Sequence, residues 1–154
     1  MAATAFERIE ELLRKAAVPF TVHRHAPVYT SQEASAVRGT SLASGAKALV
    51  VKAGESFVLL VMPADRKLDS RKARAALGTK AIRFATPEEV ERITGLLPGS
   101  IPPFGSLFGL PTHCDPALSS NASINFNAGD HAVSVEMTCA DYLAVEKPAL
   151  RDLT

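Results

Sequence analysis

The sequence predicts an α/β chain of the α+β kind, with a mixed or largely antiparallel sheet closed into an irregular barrel and helices around it. Three observations carry this. Helical and extended patterns interleave over the first 94 residues, whereas extended patterns cluster after residue 111. Two neighbouring runs, residues 47–52 and 57–62, are apolar at nearly every position, as in strands covered on both faces. No repeat or linker divides the 154 residues, so 1–154 is read as a single domain. A chain of this length buries about 70% of the surface it would expose unfolded.

The elements follow in order. Phe6, Ile9, Leu12 and Leu13 recur at helical spacing opposite Glu7, Arg8, Glu10, Glu11 and Arg14, which predicts an amphipathic helix. Pro19 follows it, and Phe20-Thr21-Val22-His23 alternates as a short strand. Thr30-Ser31-Gln32-Glu33 is a capping box opening a short helix that Gly39 ends. The two apolar runs flank Ala53-Gly54-Glu55-Ser56, which predicts a hairpin. Residues 69–77 read as a helix stopped by Gly78, and 80–84 as a strand. Thr86-Pro87-Glu88-Glu89 joins a capping box to a proline at the first helical position, and that helix runs to Thr94. Strands are expected over 112–115, 122–127 and 131–137, with Asn127-Ala128-Gly129-Asp130 as the last hairpin turn. Thr138 caps a final short helix that ends before Pro148.

Charge and composition narrow the function classes. Lys and Arg number 17 against 16 Asp and Glu, which excludes gripping nucleic acid by bulk charge but not by a local patch. Such a patch exists: residues 66–83 hold seven basic residues (Arg66, Lys67, Arg71, Lys72, Arg74, Lys80, Arg83) and one acidic, Asp69. It suits a phosphate backbone or, more plainly, a solvated face. No Trp and two Tyr leave little for reading many bases by stacking. No apolar run approaches the ~20 residues of a membrane-spanning helix, and no basic segment followed by an apolar core opens the chain, so neither a membrane nor a secretory route is expected. Cys114 and Cys139 are isolated thiols, read as buried and reduced, consistent with a cytoplasmic protein.

Two places suggest chemistry. Residues 95–105 hold three glycines and three prolines, so they form neither a regular helix nor a central strand. Within them Gly99-Ser100-Ile101-Pro102-Pro103 is a stiff bend where backbone can approach a small polar group, unless it is only a connector. Lys47 opens an apolar strand. Read alone, it is either a solvated strand-end residue or an ammonium turned into a pocket. His23 and His25 share a strand face without a third ligand at a standard interval, and His113-Cys114-Asp115 point to alternate sides, so no metal site is expected. Nucleophile-elbow, P-loop and dinucleotide signatures are absent.

Over nearly its whole length the sequence resembles the YbaK-type aminoacyl-tRNA deacylases, which are similar to the editing insertion domain of bacterial prolyl-tRNA synthetases. The resemblance is carried by His25-Ala-Pro-Val-Tyr-Thr-Ser-Gln-Glu-Ala34, Gly45-Ala-Lys-Ala-Leu-Val50, Met62-Pro-Ala-Asp-Arg-Lys-Leu-Asp69, Ala85-Thr-Pro-Glu-Glu-Val90, the Gly95 to Gly105 segment, Cys114-Asp115 and Phe126-Asn-Ala-Gly-Asp-His131. It implies the barrel fold and hydrolysis of the ester joining a small wrong amino acid to the 3′ acceptor end of a tRNA, typically tRNA(Pro). It implies Lys47 and Gly99 as the principal functional residues. Ser100, Ile101, Pro102, Pro103, Asp115, His131, Tyr29 and Thr30 are then expected around the substrate. No metal or cofactor is implied. The partners implied are mischarged tRNA and prolyl-tRNA synthetase, with no membrane and no specific DNA. The same resemblance leaves open a module that binds aminoacyl-tRNA or a synthetase without hydrolysis.

Overall fold

A computed structural model describes residues 3–154; Met1 and Ala2, part of the opening read for a leader, lie outside the described residues. A capping box of Thr4 and Glu7 starts α1 (Ala5–Lys15), which buries Ile9 and Leu13. β1 (Thr21–Arg24) and α2 (Ser31–Arg38) follow, α2 being capped by Thr30 and stopped by Gly39 in the left-handed region. β2 (Ala46–Ala53) and β3 (Ser56–Pro63) form the expected hairpin. Then come α3 (Ser70–Leu77), β4 (Ile82–Phe84), α4 (Pro87–Thr94), β5 (Thr112–Cys114), β6 (Ser123–Asp130), β7 (Val133–Thr138), α5 (Cys139–Glu146) and β8 (Ala149–Leu150).

The strands build two sheets. One has the order β1-β7-β6 and is antiparallel throughout. The other has the order β4-β2-β3-β5-β8, antiparallel on the β4 side and parallel from β3 to β8. The mixed α+β class holds, but the expected barrel does not close. β2 gives its outer edge to β4 at residues 51–53. Among the described residues only one bridge, Gly45 to Asn125, joins the two sheets.

The main core lies between the sheets and includes Val50, Leu59, Val61, Ile124, Phe126 and Val135. A second core on the outer face gathers Val51, Leu60, Met62, Ala73 and Leu153. Successive residues of β2 and β3 therefore feed opposite cores, which is why these runs lack polar alternation. Both cysteines are buried, and burial pushes the Cys114 thiol up to about 12.

The last hairpin turns later than the sequence suggests. Asn127 to Asp130 belong to β6, with a bulge between them, and the chain reverses at His131 and Ala132. Ala128 is fully buried, so the strand must continue through it. Gly129 sits at φ +83°, and a Cβ there would come within 2.6 Å of the Ala5 Cβ. This glycine admits α1 rather than making the turn. Asn127 is thereby a strand residue.

Candidate active site

Where the two sheets meet, one face of α2, the start of β2, the 99–101 bend and β6 enclose a cavity of about 170 Å³. Pockets that engulf drug-sized ligands run to about 300–1,000 Å³, so this one takes a small group only. Among the described residues its lining contains Lys47, Arg38, Gly99, Ile101 and Thr30, and neither a carboxylate nor a histidine.

Lys47 is placed by the register of β2 opposite Met62, beside the turn that leaves β3. Its Nζ donates to the Arg66 carbonyl at 2.6 Å. Burial holds its pKa below the ordinary lysine value, repulsion from Lys67 adds to this, and Asp65 opposes it. The result is a half-buried ammonium fixed at the cavity wall.

Gly99 faces the same cavity at φ +88°, a conformation that disfavours any side chain. Its carbonyl accepts from Asn127 Nδ2 at 2.6 Å. A Cβ at Gly99 would sit 3.6 Å from His131 Nε2, an ordinary contact, so backbone conformation and not crowding is what requires glycine here. Ser100 is buried, and its hydroxyl donates back to the Leu97 carbonyl at 2.8 Å. Its own carbonyl accepts from the Gly129 amide at 2.9 Å, which ties the bend to the bulge of β6. Ile101 lines the cavity, while Pro102 and Pro103 are buried beneath it, the Pro103 carbonyl accepting from the Tyr142 hydroxyl at 2.7 Å.

The other expected residues divide. Thr30 lines the cavity and caps α2. Tyr29 and His131 lie with Ser100 in an adjoining depression across the bend. Their rings are 4.7 Å apart, and Tyr29 is 70% exposed. Asp115 is not at the cavity. It lies beyond β5, where its carboxylate accepts from the amides of Ala117, Leu153 and Thr154 and from the Thr154 hydroxyl, at 2.8–3.0 Å. Burial alone would raise its pKa, and these bonds more than reverse that, leaving it lowered.

Three residues at the cavity escaped the sequence reading. Arg38, at the end of α2, donates to Ser134 Oγ at 2.8 Å and to Asn127 Oδ1 at 2.9 Å. Burial lowers its pKa to about 10, which leaves it charged at neutral pH. Asn125 donates to Ser44 Oγ at 3.1 Å, and its Oδ1 has no partner among the described residues. The alternation of Ile124 and Phe126 with Asn125 and Asn127 was the available signal, since it puts both amides on one side of the strand. The arrangement offers two cations and a fixed backbone bend but no acid–base pair. That suits a reaction promoted by positioning and charge stabilisation.

Residues 25–145 match the aminoacyl-tRNA editing domain. The chain is 36% identical over 149 residues to the Escherichia coli (strain K12) multifunctional Ser/Thr-tRNA deacylase ProXp-y, covering 94% of this chain and 89% of that protein. It is 33% identical over 110 residues to the proline–tRNA ligase of Bacillus licheniformis, covering 70% of this chain and 19% of the ligase. A crystal structure of a candidate trans-editing enzyme for prolyl tRNA synthetase superposes with a TM-score of 0.87 at 25% identity, covering 100% of this chain and 99% of that one.

Proposed function

The chain belongs to the aminoacyl-tRNA editing domain family, and from that premise we propose that it is a deacylase that hydrolyses the ester of mischarged tRNA in trans. One observation carries the reading: the Lys47 ammonium and the Gly99 bend converge on one cavity too small for a nucleotide but sized for a small aminoacyl group. The relative that acts on Ser- and Thr-tRNA supports serine and threonine as groups removed. The prolyl-tRNA ligase relative supports tRNA(Pro) as the carrier and prolyl-tRNA synthetase as the partner upstream. The 1–154 chain acts as one editing domain in this reading, in the cytoplasm where tRNA is charged.

Water attacks the ester carbonyl carbon, the tetrahedral oxyanion collapses, and the ribose 3′-oxygen leaves with a proton. The products are a free amino acid and uncharged tRNA. An aminoacyl ester is already activated, so a held ammonium and a fixed bend supply what the step needs. Lys47 stabilises the developing oxyanion or holds the terminal phosphate. The 99–103 backbone holds the aminoacyl group and limits its size. The substrate's free ribose hydroxyl or a backbone group orients the water. Proline matches threonine in bulk but not in shape, and its ring, closed onto the α-nitrogen, clashes with the cavity wall where an open side chain does not.

The test is release of labelled amino acid from tRNA(Pro) charged in turn with serine, threonine, alanine and proline. Release of a small wrong residue well above spontaneous hydrolysis, with proline spared, is the expected result. Spontaneous rates with all four overturn the reading.

A further inference from the structure

We propose that Arg38, acting through Asn127, is a positioning pair that sets where the Gly99 carbonyl stands and therefore which aminoacyl group is hydrolysed. The proposal rests on the deacylase reading above and deepens it.

The chain of contacts is continuous. Arg38 Nε donates to Ser134 Oγ and Nη2 donates to Asn127 Oδ1, at 2.8 and 2.9 Å. Ser134 is fully buried and its hydroxyl also lies 2.7 Å from His25 Nε2, so the anchor of the guanidinium is itself held. A guanidinium only donates, so the Asn127 atom facing it is the carbonyl oxygen. The amide nitrogen is then turned to the Gly99 carbonyl, 2.6 Å away. Arg38 thus fixes which way the amide points, and the amide fixes the bend.

Arg38 lines the cavity as a cation, but both of its side-chain bonds are spent inside the protein, on Ser134 and Asn127. Arg38 is half-buried, and among the described residues it forms no ion pair with a carboxylate. Fastening α2 to the sheet needs only an apolar contact, which carries no desolvation cost. Two directed donors at a planar group do what an apolar contact cannot. The bend they reach has φ +88° at Gly99, so it lacks a side chain of its own to hold it. Asn127 supplies that hold from β6, a rigid element.

Asn127→Asp separates the two halves of the relay. The carboxylate keeps Arg38 as its partner, so the fold is retained. It has no proton for the Gly99 carbonyl and sets oxygen against oxygen, so the bend moves. Arg38→Lys is the second variant, because one ammonium cannot span Ser134 and Asn127 as the fork does. Wild type and both variants are assayed for kcat and KM on serine-, threonine- and proline-charged tRNA(Pro), with melting temperatures alongside. The expected result is a kcat loss of about a hundredfold in Asn127→Asp, as for a misplacement near 1 Å. The serine-to-threonine rate ratio changes and melting is little altered. Arg38→Lys loses less in the same direction. Wild-type kcat and ratio in Asn127→Asp, or losses in both variants that track only the folded fraction with the ratio unchanged, overturn the relay. A wild-type protein inert on every charged tRNA overturns the deacylase reading on which it rests.

Discussion

In the proposed reaction Lys47 acts through its charge. Truncation to alanine removes one stabilising charge, so kcat falls about 10²–10³-fold with little change in melting temperature. Its pKa is lowered by burial first and by Lys67 second. The ammonium is present below that pKa and lost above it, so kcat/KM declines with rising pH at a value below the ~10.4 of free lysine. Lys67→Ala removes the repelling charge, and a pH–rate profile shows the decline moved to higher pH. Asp115 has the opposite duty. Its folded pKa is depressed, so it stabilises the fold above the unfolded pKa and ceases to do so as acid protonates the folded carboxylate. Asp115→Asn costs about 1.5–3 kcal/mol near neutrality, flattens the acid side of a melting-temperature profile, and leaves the activity of folded molecules unchanged. Lys47 and Gly99 were legible because their neighbours form an ordered set of motifs. Asp115 stood in the same set, yet its partners come from residues 153–154, a contact no local spacing encodes.

At the scale of elements, caps and stops were legible because they are local chemistry. Thr86, Glu89 and Gly95 bound α4 where the sequence placed it, and Asp69 and Gly78 do the same for α3. The turn after β6 was misplaced because Asn-Ala-Gly-Asp satisfies turn chemistry while Ala128 answers to the core. Asn127 stood at the join of the expected strand and the expected turn, so its side chain had no definite face in the sequence. β8 escaped notice because two residues paired to β5 carry no periodicity. Gly105 shows packing at its tightest. A Cβ there would lie 2.4 Å from Thr112 Oγ1 and 2.6 Å from the Leu110 carbonyl. Gly105→Ala is therefore expected to cost about 1–3 kcal/mol in denaturant unfolding, by forcing the 105–110 turn off β5.

For the molecule as a whole, charge placement matters more than net charge. Within the basic segment, Arg83 is paired with Glu89 and Lys72 lies 3.5 Å from Asp152. Arg71, Arg74, Lys67 and Lys80 are exposed. The segment begins at Arg66, whose carbonyl holds Lys47, so it starts at the rim of the cavity. A tRNA acceptor stem entering the site would run along it. The apparent affinity for charged tRNA should fall with salt, and Arg71→Ala and Arg74→Ala should each reduce the slope of log K against log salt by about one. Unchanged slopes in both would place the stem elsewhere. The sheet order was only partly legible, because apolar strands announce burial but not their neighbours: β3 pairs in parallel with β5, and β1 pairs with β7.

The pairing of β1 with β7 also governs when the enzyme comes into being. Arg24 meets Val133, about 110 residues later. At translation speeds of about 5–20 residues per second, the leading strand waits roughly 5–20 s for its mate to leave the ribosome. The cavity needs β6 for one wall, so it stays open on that side until residues 123–130 have been made.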